Sequence, residues 1–143
     1  MKKNSLESRA LKEFFEIGIA LLIAFLFYQA LVFATGSSVP VVSIASGSMI
    51  PKLHPGDLVF AGKPADLKIG DIIIYHANCQ YMPEKDIIHR IVGFESGKIS
   101  TKGDNNPYKD PCLVETSQVK GKVIFAVPLL GWPRLFLNYL VGA

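Results

Sequence analysis

The stretch IGIALLIAFLFYQALVFATGSSVPVVSIASGSMIP, Ile17 to Pro51, runs for 35 residues without an Asp, Glu, Lys or Arg. Only 19% of the 143-residue chain is charged, against about 25% in an ordinary soluble domain, and the shortfall is concentrated in that stretch. So much apolar mass excludes a disordered acidic or basic tail. It also argues against a wholly water-soluble globule, although the length suits one compact domain.

The uncharged stretch divides in two. Ile17 to Ala34 has no proline, and as a helix its 18 residues reach about 27 Å, near the roughly 30 Å hydrocarbon thickness of a bilayer. Extension through Thr35 and Gly36 closes the gap. Two readings compete. One is a retained anchor over residues 17–36. The other is a cleavable signal peptide with Val32-Phe33-Ala34 as its cleavage site. The long N-terminal region, and an apolar run beyond the usual 7–15 residues or so, favour the anchor. Residues 1–16 hold Lys2, Lys3, Arg9 and Lys12, whereas residues 35–51 hold no basic residue. The positive-inside rule then puts 1–16 in the cytoplasm and the rest of the chain on the external or lumenal face.

Past the anchor the pattern changes to short Val-, Ile- and Phe-rich runs bounded by Gly, Pro and Asp, the mark of half-buried strands. Strands are expected at Val39–Ile44, Asp57–Ala61, Asp71–Tyr75, Ile87–Phe94, Lys98–Thr101 and Lys120–Val127. Glu95-Ser96-Gly97 has the chemistry of a tight hairpin turn. The fold class is therefore mainly β, a small, partly closed antiparallel domain over residues 37–127 behind an N-terminal transmembrane helix. Residues 128–143 are apolar and contain one charge, Arg134. Pro133 suits the first turn of a short helix there, either lying at the lipid interface or packed on the domain core.

The other half of the stretch ends in Ser46-Gly47-Ser48-Met49-Ile50-Pro51, where a serine can face a groove. A serine nucleophile needs a base, and the chain has three histidines. His54 sits in an exposed turn and His76 at a strand end. His89 lies within a strand, and alternation places it on one face with Ile87 and Ile91. An oriented base needs a further partner. Asp104 and Asp110, in TKGDNNPYKD, supply two carboxylates in one loop. That loop lacks the Gly and Glu positions of an EF-hand. Taken singly, each of these residues has an ordinary structural role: turn serines, a core histidine, an Asx-rich turn.

Taken together and in order, SGSMIPKLHPGD, GDIIIYH, IIHRIVGF and TKGDNNPYKD closely resemble the boxes of type I signal peptidases, in particular the archaeal and endoplasmic-reticulum branch, which pairs a serine with a histidine. The resemblance spans residues 17–127. It implies a membrane-bound serine endopeptidase that removes signal peptides from preproteins by cutting after a small residue at an A-x-A type site. By position, Ser48 matches the nucleophile, His89 the general base, Asp110 the aspartate needed for activity and Asp104 a supporting aspartate. Ser46 matches the oxyanion-hole serine of the bacterial branch. Ile44, Ala45, Met49 and Leu53 match positions near the substrate pockets. Cys79 and Cys112 fall in no box and are either a disulfide or buried thiols.

No cofactor or metal is called for, and two cysteines exclude a zinc site built from Cys alone. The expected partners are signal-peptide-bearing preproteins, the lipid bilayer and accessory membrane subunits. Nucleic acid is not among them, because the net charge of +3 is scattered along the chain and no basic run tracks phosphates. Two other functions are compatible with the architecture: a LexA-like peptidase that cleaves itself with a Ser–Lys pair, and a membrane-anchored β module that binds without catalysis.

Overall fold

The computed structural model describes residues 2–141. The chain separates into two units that meet at residues 34 and 35. The first is a single helix, α1 (Lys2–Thr35), whose segment Leu11–Thr35 is long and apolar enough to cross a membrane. The helix starts well ahead of the apolar run at Ile17. Residues 6–16, LESRALKEFFE, are rich in Leu, Ala, Glu, Lys and Arg, which favour helix whatever their polarity.

The second unit is built on one sheet of six strands: β1 (Val41–Ser43), β2 (Leu58–Gly62), β3 (Ile72–Cys79), β4 (Met82–Glu95), β5 (Lys98–Lys102) and β6 (Val119–Val127). Their order is β1-β2-β6-β3-β4-β5 and every pairing is antiparallel. All six expected strands are present. β4 and β5 are joined through Ser96 and Gly97, both at positive φ (51° and 76°), the backbone of the tight turn that suits right-twisted strands.

Adjacent residues of β3 explain its unbroken run of Ile72, Ile73, Ile74 and Tyr75, all buried. Successive strand side chains point to opposite faces, and both faces are covered. Ile73 and Tyr75 join Ile91, Ile99, Val114 and Val119 in one cluster. Ile72 joins Ile44, Met49, Leu53 and Val59 in the other. The segment carrying Ser48 therefore caps one face, and the segment after β5 caps the other.

One hairpin departs from expectation. β3 and β4 run on past the predicted strand ends, pairing His76 with Asp86, Ala77 with Lys85 and Cys79 with Met82. The polar run between them shows no alternation, so its pairing rests on cross-strand neighbours and on a covalent tie. Cys79, the last residue of β3, forms a disulfide with Cys112, 33 residues away. Closing such a loop restricts the unfolded chain and is worth about 2–4 kcal/mol. The paired change of Cys79 and Cys112 to Ser is expected to lower stability by about that amount, read from denaturant unfolding of the full chain in detergent.

Two sheet edges stay open beside the site. Among the described residues β1 pairs only with β2, and β4 pairs with β5 only from Arg90 onward. The first half of β4 has β3 on one side and no strand on the other among the described residues. After β6 the chain turns into α2 (Trp132–Val141), with Pro133 in its first turn.

Candidate active site

The serine comes from a turn pinned at both ends by buried side chains. Ile44 and Leu53 lie in the core, and Met49, adjacent to Ser48, is 1% exposed. The Leu53 N–H donates to the Met49 carbonyl at 2.9 Å, and the Ile50 N–H to the Gly47 carbonyl at 3.3 Å. Ser48 itself is half-buried. Burial of its neighbours thus presents the hydroxyl while the backbone is held.

His89 is cross-paired with Ile73 in β3 and is buried, with Ile87 and Ile91 on its face as alternation demands. Its Nε2 lies 3.2 Å from Ser48 Oγ, and its Nδ1 lies 2.6 Å from Asp110 Oδ2. Asp110 follows β5 in an irregular segment, fixed by its own N–H donating to the Thr101 carbonyl at 2.8 Å.

Three neighbouring strands converge on that one carboxylate oxygen. β4 brings His89, β5 brings the Thr101 hydroxyl, donating at 2.6 Å, and β3 brings the Tyr75 hydroxyl, donating at 3.0 Å. Burial works to raise the Asp110 carboxyl. The hydrogen bonds from His89 and Thr101, the attraction of the His89 ring whenever it is protonated, and the Tyr75 bond outweigh it and hold Asp110 below its ordinary value. The Tyr75 hydroxyl is pushed up, first by burial and then by the Asp110 charge. An ionised Asp110 accepts hydrogen bonds only, so His89 carries its proton on Nδ1. Nε2 is left as acceptor for the Ser48 hydroxyl.

Asp104 stands elsewhere. The sequence resemblance matches it to a supporting aspartate, but it touches neither Ser48 nor His89. Arg90, next along β4, grips it with Nε to Oδ1 at 2.8 Å and Nη2 to Oδ2 at 2.6 Å, and gives its Nη1 to the Gly70 carbonyl at 2.7 Å. The hydrogen bond to Asp104 raises the Arg90 guanidinium above its ordinary value, against the smaller effect of burial. Side chains of successive strand residues point to opposite faces, so Arg90 reaches what His89 does not.

The loop that Asp104 fixes also holds the serine turn. The Asn105 N–H donates to the Ser48 carbonyl at 2.8 Å, and its Nδ2 to the Gly47 carbonyl at 3.2 Å. A Cβ on Gly103 would stand 2.7 Å from the Ser48 carbonyl oxygen, so only glycine permits this approach. Tyr75, Arg90, Thr101, Gly103 and Asn105 escape sequence reasoning. The one available signal is that Gly103-Asp104, unlike Gly56-Asp57 and Gly70-Asp71, precedes no strand.

Beside the serine runs a groove of about 500 Å³, walled by Ile44, Ala45, Met49, Ile74 and Ile88, with Ser46, Ser48 and His89 also lining it. Ser46 Oγ lies 3.3 Å from Ser48 Oγ. Leu53 is not on the wall; it is buried in the core beneath the turn. The other two histidines are engaged elsewhere. The backbone of His54 donates to Asp57 at 2.8 Å, and His76 Nδ1 lies 2.9 Å from Asp86, which also takes Lys120 at 2.7 Å.

Comparison with known proteins identifies the family of the chain. The family described as "Signal peptidase, peptidase S26" matches residues 11–123. The "Signal peptidase complex catalytic subunit SEC11" of Leptosphaeria maculans is 33% identical over 129 residues, covering 80% of this chain and 73% of its own length. Proteins of the same name from Lachancea thermotolerans and Verticillium alfalfae are 32% and 31% identical, covering 90% and 91% of this chain and 83% and 82% of theirs. A serine turn backed by a buried histidine behind an apolar N-terminal helix, and a family match over most of the length, lead to one assignment: the chain belongs to the signal peptidase family, peptidase S26.

Proposed function

We propose that the chain removes signal peptides with Ser48 as nucleophile, His89 as general base and Asp110 as the carboxylate that orients the base. The observation that carries this reading is the unbroken series Ser48 Oγ, His89 Nε2, His89 Nδ1 and Asp110 Oδ2, at 3.2 and 2.6 Å. Ser48 Oγ adds to the carbonyl carbon of the scissile peptide while its proton passes to His89 Nε2. The imidazolium then protonates the leaving amine as the C–N bond breaks, giving an acyl-enzyme and the mature protein's new N-terminus. Water, deprotonated by the same Nε2, attacks the ester and releases the signal peptide from Ser48. Asp110 holds the ring and stabilises its positive charge.

The oxyanion falls to the Ser48 N–H, which has no acceptor among the described residues, and to the Ser46 hydroxyl. Each such donor is worth about 3–4 kcal/mol in the transition state. The open edges of β1 and of the first half of β4 both border the groove, so an extended substrate adds as a strand. Small residues at its −1 and −3 positions then meet the wall formed by Ile44, Ala45 and Ile88. Asp104 belongs to the positioning of the serine turn through Arg90 and Asn105.

In this reading residues 1–16 are cytoplasmic, residues 17–36 span the membrane, and residues 37–127 form the catalytic domain on the external or lumenal side. The basic residues of the N-terminal flank support that orientation. So does the Cys79–Cys112 disulfide, because such bonds persist chiefly outside the reducing cytosol. The relatives are named as subunits of a complex, which favours accessory membrane subunits as partners here.

The test is to give the purified full chain, in detergent, a presecretory protein and to map the cut by mass spectrometry. One cut after a small residue with another small residue at −3 is expected, and the enzyme itself should stay intact when incubated alone. Self-processing, or an uncut preprotein, would overturn the assignment in favour of the self-cleaving or the non-catalytic reading.

A further inference from the structure

The groove beside Ser48 has two long walls, and a third segment reaches it as well. One wall is the run from Val42 to Ala45, and the other is the first half of β4. Asn106, from the loop after β5, lines the groove beside Ser48 and His89.

Topology sets that loop at the end of the open edge. β5 pairs with β4 as far back as Arg90, which stands opposite Lys102. From there toward Met82 the same side of β4 has no strand among the described residues. A strand added to that side stands in line with β5, and the residues after Lys102 close off the line at His89. A peptide with its −1 and −3 residues against Ile44, Ala45 and Ile88 therefore passes this loop once it is beyond Ser48.

The loop is fixed, yet one of its side chains is unused. Arg90 grips Asp104, and Asn105 bonds the Gly47 and Ser48 carbonyls. The Asn106 N–H donates to the Gly103 carbonyl at 3.0 Å, and Pro107 behind it disfavours helical backbone at Asn106. A Cβ on Gly103 would stand 2.7 Å from the Ser48 carbonyl oxygen and 2.8 Å from Asn106 Nδ2, so the serine backbone and this amide are near neighbours. The Asn106 side chain, half-buried, makes no hydrogen bond to the described residues. A carboxamide both donates and accepts, and each residue of a peptide main chain offers a carbonyl and, proline apart, an N–H. Such a group, held in place and open to the groove, recognises main chain whatever side chains it carries.

We infer that Asn106 is a substrate-binding residue for the departing segment, its carboxamide hydrogen-bonded to the main chain of the first residues after the cut. The inference rests on Ser48 as nucleophile and on the −1 side lying along β4. Holding the departing segment fixes the scissile carbonyl against Ser48 Oγ during acylation. Once the amine has left, Asn106 has nothing to hold, and hydrolysis of the acyl-enzyme does not depend on it.

Two substrates with the same residues up to the cut test this. One is a peptide that continues several residues beyond it, and the other is a nitrophenyl ester that ends there. Both are given to the purified full chain in detergent, with the Ser48→Ala rate subtracted. Asn106→Ala is expected to lower kcat/KM for the peptide by about 10-fold and to leave the ester near wild type. Asn105→Ala, which loosens the serine turn, should slow both substrates alike. The Asn106 side chain bonds nothing in the fold, so its variant should keep the wild-type denaturant midpoint. Equal losses on peptide and ester with Asn106→Ala, or no loss on either, would overturn the inference and leave the catalytic assignment standing. A wild-type chain that leaves the peptide uncut would overturn both.

Discussion

Alanine at Ser48 or at His89 is expected to lower kcat/KM for a presecretory protein by about 10⁴-fold or more, while His54→Ala and His76→Ala stay near wild type. Without Ser48 there is no acyl-enzyme. Without His89 the Oγ proton has no acceptor, because Nε2 is the only basic nitrogen within hydrogen-bonding distance of it among the described residues. Groups that act as a unit do not add, so the double variant should be no slower than either single one. His76 is the informative control. It too pairs with an aspartate, Asp86 at 2.9 Å, yet that pair has no serine. A loss at His76→Ala with His89→Ala still active would reverse the assignment of the base.

The second large effect separates the two aspartates. Asp110→Asn should reduce turnover by about 10⁴-fold, since an amide no longer fixes the proton on Nδ1. Asp104→Asn should cost about 10²-fold, the scale of a slightly misplaced reacting group, because it loosens a loop rather than the base. Equal losses at both positions would contradict the geometry. The pH dependence of stability gives a further handle. The Asp110 carboxyl is held below its ordinary 3.8 in the folded state, so between the two values the unfolded chain binds more protons. Its contribution is complete above the ordinary value and is lost as pH falls through the depressed one. Thermal midpoints measured below about pH 4 should therefore drop faster in the wild type than in Asp110→Asn.

Features carried by local pattern are legible from the residues alone. The six strands follow from β-branched runs and turn residues, and His89 follows from its place between Ile87 and Ile91. Ser48 is marked by a Ser-Gly-Ser turn at the end of an uncharged stretch. What escapes is set by partners distant along the chain. The extension of β3 and β4 through HANC and MPEKD rests on cross-strand pairs and on a disulfide to a residue 33 positions away. The Tyr75 and Thr101 hydroxyls look like ordinary strand side chains until a third segment brings Asp110 between them. Arg90 and Asp104 find each other only once Gly70 and the loop at 103–106 are in place. Leu53 sits near the serine in sequence, which suggests a pocket, whereas the turn geometry sends it into the core.

A sheet edge open to an added strand is also a template for another copy of the same protein, and unprotected edges invite aggregation. The free half of β4 answers this with its own residues. Pro83 has no N–H to offer a neighbouring strand, and Glu84, Lys85 and Asp86 follow it, all exposed. An apolar, uncharged strand would be the most dangerous guest, and it is also the chemical nature of a signal peptide. In the proposed mode of substrate addition, proline and charge at the entrance, with Ile88 and His89 farther along, would let the edge accept a passing peptide near the serine while discouraging stable pairing along its whole length. Catalysis and solubility thus draw on opposite ends of one strand.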